Sequence, residues 1–160
     1  MPSALQASLR GDDGQPEQTI VSPRSADEID GRSQRALAVP LLRFLRATLV
    51  DGIDGAWSVG ITPTANALNA VDALHGGVIA TVLDVAAYLA VVPHLSTGEE
   101  AVTVAFAASY VAAARPDEQL RADGSFIRRT RQLAFASAEL RSEDRLLALA
   151  NVTKAIRASS

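Results

Sequence analysis

The stretch HGGVIATVLDVAAYLAVVPH, residues 75–94, decides how this chain is read. Two glycines open a run in which Val78, Ile79, Val82, Leu83, Val85, Ala86, Leu89, Val91 and Val92 make nearly every face apolar, and Pro93 stops it. A helix of that composition has to be enclosed by protein or lipid. Its length approaches that of a bilayer crossing, but Asp84 sits at its middle, where a charge is expensive in hydrocarbon. The run therefore predicts a core helix from Gly77 to about Val92.

The few polar groups of this helix, Thr81, Asp84 and Tyr88, are spaced by three and four residues and so share one stripe below Gly77. A carboxylate two turns inside an apolar helix must be compensated by hydrogen bonds, by a partner charge or by function. A satisfied residue at a dimer contact and a working acid both fit. His75-Gly76-Gly77 places backbone N–H groups and the positive dipole end at the helix mouth, where they cap and pack the helix or polarise a carbonyl oxygen. Gly76 and Asp84 are eight residues apart, about 12 Å at a rise of ~1.5 Å per residue. Reacting groups must approach to roughly 3 Å, so a single copy cannot use both. Two antiparallel helices about a two-fold axis would set the mouth of one beside the carboxylate of the other.

Working outward, 160 residues, 48% of them apolar, suit one domain with a sizeable core. Residues 1–33 have the composition of a solvated, disordered tail, which leaves 34–160 as the domain. Pro40 starts a second helix with a Leu41, Leu42, Leu45 and Leu49 stripe, Arg43 and Arg46 turned outward, and an end at Asp51-Gly52. Trp57, Val59 and Ile61 alternate with small polar residues as in a half-buried strand, and a polar loop covers 64–72. After Pro93 the period is two: Ala101 to Ala113, Gln119 to Arg129, Leu133 to Leu140 and Leu146 to Arg157 read as strands. The expectation is an α+β pair of layers, with a four-strand antiparallel meander wrapped around the central helix.

A net charge of −3 and a pI near 5.3 argue against non-specific nucleic-acid or anionic-membrane binding as the main task. The absence of cysteine excludes disulfides, thiolate metal sites and a cysteine nucleophile. The N-terminus does not resemble a secretory signal, and the default expectation is a cytoplasmic protein. Two histidines so far apart, His75 and His94, give no metal spacing, and no metal is expected. His94 reads as a surface or capping residue, and Trp57 and Phe44 as core.

Asn69, five residues, His75-Gly76-Gly77, Asp84 and the following strand-like run 101–113 together resemble the hotdog-fold thioesterase superfamily, in particular its phenylacetic-acid-degradation type. The resemblance spans about Pro40 to Ile156. It implies a hotdog fold, a homodimer or dimer of dimers, and hydrolysis of an acyl-CoA thioester, with CoA entering as part of the substrate and no cofactor. It also implies roles. Asp84 is nucleophile or general base for water; Gly76, following His75, gives its backbone N–H to the thioester carbonyl; Asn69 positions carbonyl or water; Thr103 holds the water or the carboxylate. Gly77 and Tyr88 are expected to line the substrate site. In such proteins basic residues near the hairpin after the third strand bind the coenzyme's phosphates, and here Arg128, Arg129 and Arg131 occupy it, with Thr130 where a glycine is usual. Ala105 and Ala107 stand where many relatives carry Asp or Asn.

The acyl pocket is expected to take its depth from small residues, Ala86, Ala87 and Ala90 among them, meeting across the dimer interface. A hydratase is disfavoured because Leu89 stands where its motif would place histidine. The rival from another class is a non-catalytic acyl-CoA-binding module, a sensor or scaffold using the same pocket.

Overall fold

The helix predicted from the apolar run spans Gly76–Val91 (α3), and one 3-10 turn, Val92–His94, carries it into Pro93. This computed structural model describes residues 26–52 and 56–159. Before α3 come α1 (Ala26–Leu37), α2 (Pro40–Phe44), β1 (Thr48–Asp51) and β2 (Trp57–Ile61); after it come β3 (Glu99–Tyr110), β4 (Leu120–Arg129), β5 (Leu133–Ser142) and β6 (Arg145–Ala158). The strands form one antiparallel six-stranded sheet in the order β1-β2-β4-β5-β6-β3. With α3 packed on it, this is the α+β hotdog arrangement.

The close seat of α3 follows from which side chains point at it. Six of the buried residues of β4, β5 and β6 are alanines: Ala122, Ala134, Ala136, Ala138, Ala148 and Ala150. Residues this small let the sheet approach the helix backbone. The approach is tightest at Gly124, where an added Cβ would stand 2.0 Å from the carbonyl oxygen of Ala86. On the helix side Ile79, Val82, Leu83, Ala86, Ala87, Leu89, Ala90 and Val91 are buried. By length and composition alone residues 76–94 could cross a membrane, but half of the segment is buried inside the protein. Thr81, Asp84, Val85 and Tyr88, on the other flank, are only half-buried.

Four expectations need correction. The last four strands are not a meander: β4, β5 and β6 are successive neighbours, but β3 pairs with β6, from Glu99↔Ala158 to Tyr110↔Ala148, and β2 pairs with β4. A period of two identifies strands without saying which ones meet.

The second helix is one short turn, and Leu49 belongs to β1. It ends in a Schellman closure, with Ala47 N–H donating to Leu42 O at 2.9 Å and Arg46 N–H to Arg43 O at 3.0 Å. Arg46 takes the left-handed φ of 53° that glycine usually supplies, so composition concealed the stop. Only Leu42 and Leu45 of that stripe are buried; Leu41 and Phe44 are exposed.

Residues 26–33, read as part of a disordered tail, form the first two turns of α1, while 1–25 lie outside the described residues. Asp27 and Glu28 in its first turn suit the helix dipole. Tertiary contacts hold it: Leu37 joins the core, the Trp57 indole N–H donates to Asp30 at 2.7 Å, and Arg32 donates to the Glu99 carbonyl at 2.6 Å. Finally, Ala86, Ala87 and Ala90 pack against this chain's own sheet and do not line an interface.

Gly124→Ala reverses the usual gain from replacing glycine in a strand, since the new methyl meets backbone. It is expected to cost about 1–3 kcal/mol, read as a lower urea midpoint, whereas alanine at exposed Ser125 leaves the midpoint unchanged. Equal midpoints for both variants would contradict the packing described.

Candidate active site

Asp84 leaves the middle of α3 on the flank that the sheet leaves half-covered. Two strand residues reach it. Thr103 of β3 and Lys154 of β6 are direct cross-strand partners, which puts both side chains on the helix-facing side. The Thr103 hydroxyl donates to Asp84 Oδ1 at 2.7 Å, and Lys154 Nζ donates to the same oxygen at 3.0 Å and to Thr103 Oγ1 at 2.7 Å. The lysine side chain is 2% exposed, the aspartate 35%. A register shift between Thr103 and Ala105 re-phases the strand just beyond this contact.

A cleft of about 390 Å³ opens over the group, bounded by Asp84, Val85, Tyr88, Thr103, Lys154 and, from α1, Ala36. Burial pulls the Lys154 ammonium below the ordinary lysine range, against the opposing pull of the Asp84 charge. Burial also raises the Tyr88 phenol, with Glu100 adding to the shift and Arg32 opposing it. The Lys154 ammonium lies 5.7 Å from the Tyr88 ring centroid, within cation–π range. The sequence reading missed Lys154, although a signal exists: Ala148, Ala150, Val152 and Lys154 share the inward face of β6, and the lysine is the one member that alternation does not explain.

At the helix mouth the two glycines do different work. His75 caps α3, its Nδ1 accepting from Gly77 N–H at 2.9 Å, so a neutral imidazole carries its proton on Nε2. A Cβ on Gly77 would stand 3.1 Å from that nitrogen, tight enough to disturb the cap. The Gly77 N–H is thus already occupied by the cap. Gly76 differs. Its N–H has no acceptor among the described residues, while the carbonyl of the same peptide, His75 O, accepts from Val78 and Ile79 at 2.9 and 3.2 Å. Two bonds on that carbonyl polarise the peptide and strengthen its N–H as a donor. A Cβ on Gly76 would make only ordinary contact, 3.6 to 3.8 Å, with the Tyr110 ring, so packing within the chain does not demand glycine there. The Tyr110 hydroxyl, also missed in the sequence, donates to Gly76 O at 3.2 Å.

Asn69 turns its carboxamide oxygen onto its own loop, accepting from Val71 and Ala73 N–H at 3.0 and 3.1 Å, and so shapes the approach to His75. Among the hairpin arginines, Arg128 and Arg131 are exposed, but Arg129 is committed elsewhere. It pairs with Glu99 through both terminal nitrogens at 3.0 and 3.1 Å and also donates to the His94 carbonyl. His94 stacks on Phe126 with ring centroids 3.5 Å apart, and burial together with Arg129 lowers its pKa.

The sequence profile of the thioesterase superfamily matches residues 72–149, which contain the helix mouth, Asp84 and Thr103. The chain has the hotdog fold, and its region 72–149 is similar to the thioesterase superfamily. Solved structures agree in fold. A Bacillus halodurans protein crystallised with CoA superposes with a TM-score of 0.71 at 23% identity, over 84% of this chain and 89% of that one. A phenylacetic acid degradation-related protein from Ralstonia eutropha gives 0.68 at 24% identity, over 80% and 98%. Zebrafish thioesterase superfamily member 2 gives 0.69 at 23%, over 82% and 98%. No curated protein matches the sequence.

The Glu99–Arg129 pair carries a pH signature. The arginine hydrogen bonds, opposed by burial and helped by Ser96 N–H, hold the Glu99 carboxyl below its ordinary 4.5. A lowered acid stabilises the fold above its unfolded pKa and loses that contribution as pH falls through the folded value. Glu99→Gln is expected to be less stable than the parent at pH 7, with the gap closing below pH 4.5. Urea unfolding at several pH values measures it; a gap independent of pH would refute the assignment.

Proposed function

We propose that this protein is an acyl-CoA thioesterase acting as a two-fold dimer, with Asp84 of one copy facing the Gly76 N–H of the other. The observation that carries the reading is a half-exposed carboxylate in a cleft, on a chain whose Gly76 N–H, about 12 Å along the helix by its ~1.5 Å rise per residue, has no acceptor among the described residues. Each group supplies what the other lacks. The β3 edge, with Val102 and Val104 exposed and no strand beyond it among the described residues, offers a surface for the second copy. Dimers pairing into tetramers remain part of the proposal.

In the reaction the thioester carbonyl oxygen accepts from Gly76 N–H, which stabilises the negative charge that develops there. Asp84 takes a proton from water as its oxygen bonds to the carbonyl carbon, or attacks that carbon itself and is released by water in a second step. The C–S bond breaks, the electron pair leaves on CoA sulfur, and the net products of thioester and water are a carboxylic acid and the thiol. The chemistry requires no cofactor. Asn69 and the His75 Nε2–H are available to orient carbonyl or water, Tyr88 bounds the acyl cleft, and Arg128, Arg129 and Arg131 are the residues proposed to meet the coenzyme's phosphates.

One observation favours a second reading, a module that binds acyl-CoA without turnover: Asp84 is already ion-paired with Lys154. Thiol release across short, medium, long and aromatic acyl-CoAs, measured beside binding, separates the two. Asp84→Asn is expected to lower kcat by more than ~1000-fold; Gly76→Ala keeps the N–H and is expected to lower kcat less, by crowding the approach to it, with little change in melting. Near-normal hydrolysis by Asp84→Asn would defeat the assignment, and tight binding without turnover by the parent protein would establish the module.

A further inference from the structure

We propose that Lys154 is the positioning residue of this site: with Thr103 it clamps Oδ1 of Asp84, so that Oδ2 alone meets the water or the thioester carbon. The inference rests on the thioesterase reading and adds to it a residue that neither the motif spacing nor the matched region 72–149 contains.

Three short contacts close a triangle, Thr103 to Asp84 at 2.7 Å, Lys154 to Asp84 at 3.0 Å and Lys154 to Thr103 at 2.7 Å, and both contacts to the carboxylate fall on Oδ1. Oδ2 has no partner among the described residues. A carboxylate held at one oxygen by two donors cannot exchange its oxygens without breaking both bonds, so its free lone pairs keep one direction. The donors themselves are fixed, because Thr103 and Lys154 are cross-strand partners and the lysine stem is almost wholly enclosed. A surface lysine would lose more entropy in holding such a contact than the contact returns. Enclosure has already removed that freedom here.

Lys154 is the cation in direct contact with Asp84 among the described residues. Arg32 of α1 is bonded instead to Glu100, at 3.4 Å.

The test compares the full-length protein with Lys154→Met, Lys154→Gln and Lys154→Arg. kcat and KM are measured separately with the panel acyl-CoA that the parent cleaves fastest, beside the melting temperature. Methionine, which removes the donor, is expected to lower kcat by about 10- to 100-fold with KM within about twofold. Glutamine and arginine, which can still donate to Oδ1, are expected to recover most of that loss. If the methionine protein does not fold, Thr103→Val, which removes the other donor to Oδ1, carries the measurement. A methionine variant with the parental kcat and only a lowered melting temperature overturns the proposal and leaves Lys154 structural, and so does a loss of kcat that glutamine and arginine do not reduce. Asp84→Asn is the separate control: if that variant hydrolyses normally, the thioesterase reading of Asp84 fails whatever Lys154 does.

Discussion

The close seat of α3 on the alanine-lined sheet is the constraint from which the other features follow. The helix carries too much apolar surface to be left in water, and the sheet buries one flank by presenting methyl groups and, at Gly124, bare backbone. Dispersion and burial both reward that closeness. The curved sheet covers the flank it touches and leaves Thr81, Asp84, Val85 and Tyr88 only partly enclosed. A helix that is half dry and half available is the frame on which the site is built.

The site draws its polarity from the same packing. A lysine at an inward position of β6 would be costly among alanines, yet it finds Asp84 and Thr103 within hydrogen-bond distance, and no buried side-chain polar atom among the described residues is left unsatisfied. Replacing such a group by methyls of similar volume often leaves a protein as stable or more so. Its presence beside a cleft therefore points to a use for the charge. The arrangement differs from a structural ion pair in one respect: the carboxylate is anchored on one oxygen only and keeps a third of its surface open.

The helix mouth shows a comparable division of labour. Gly77 accommodates the His75 cap, while Gly76 keeps a polarised N–H with no acceptor among the described residues. The resemblance already sets Gly76 apart as the carbonyl donor; the structure adds that the imidazole folds back on Gly77. Arg129 carries a similar lesson: three arginines in one hairpin read alike, but Glu99, thirty residues earlier in the chain, pairs with the middle one.

The sequence by itself determined the limits of α3, the existence and approximate ends of β2 to β6, and the polar stripe with Asp84, because each is written in a local period or a local breaker. It read α2 too long, since an arginine and not a glycine adopts the left-handed turn, and it overlooked most of α1, which contacts with distant residues hold in place. Tertiary structure alone decided that β3 lies beside β6 and not beside β4, and hence that Thr103 and Lys154 meet each other and Asp84. Residues fifty and seventy positions apart are joined by strand pairing, and pairing depends on which edges and faces remain to be buried once the helix is in place, a property of the whole chain that no local window contains.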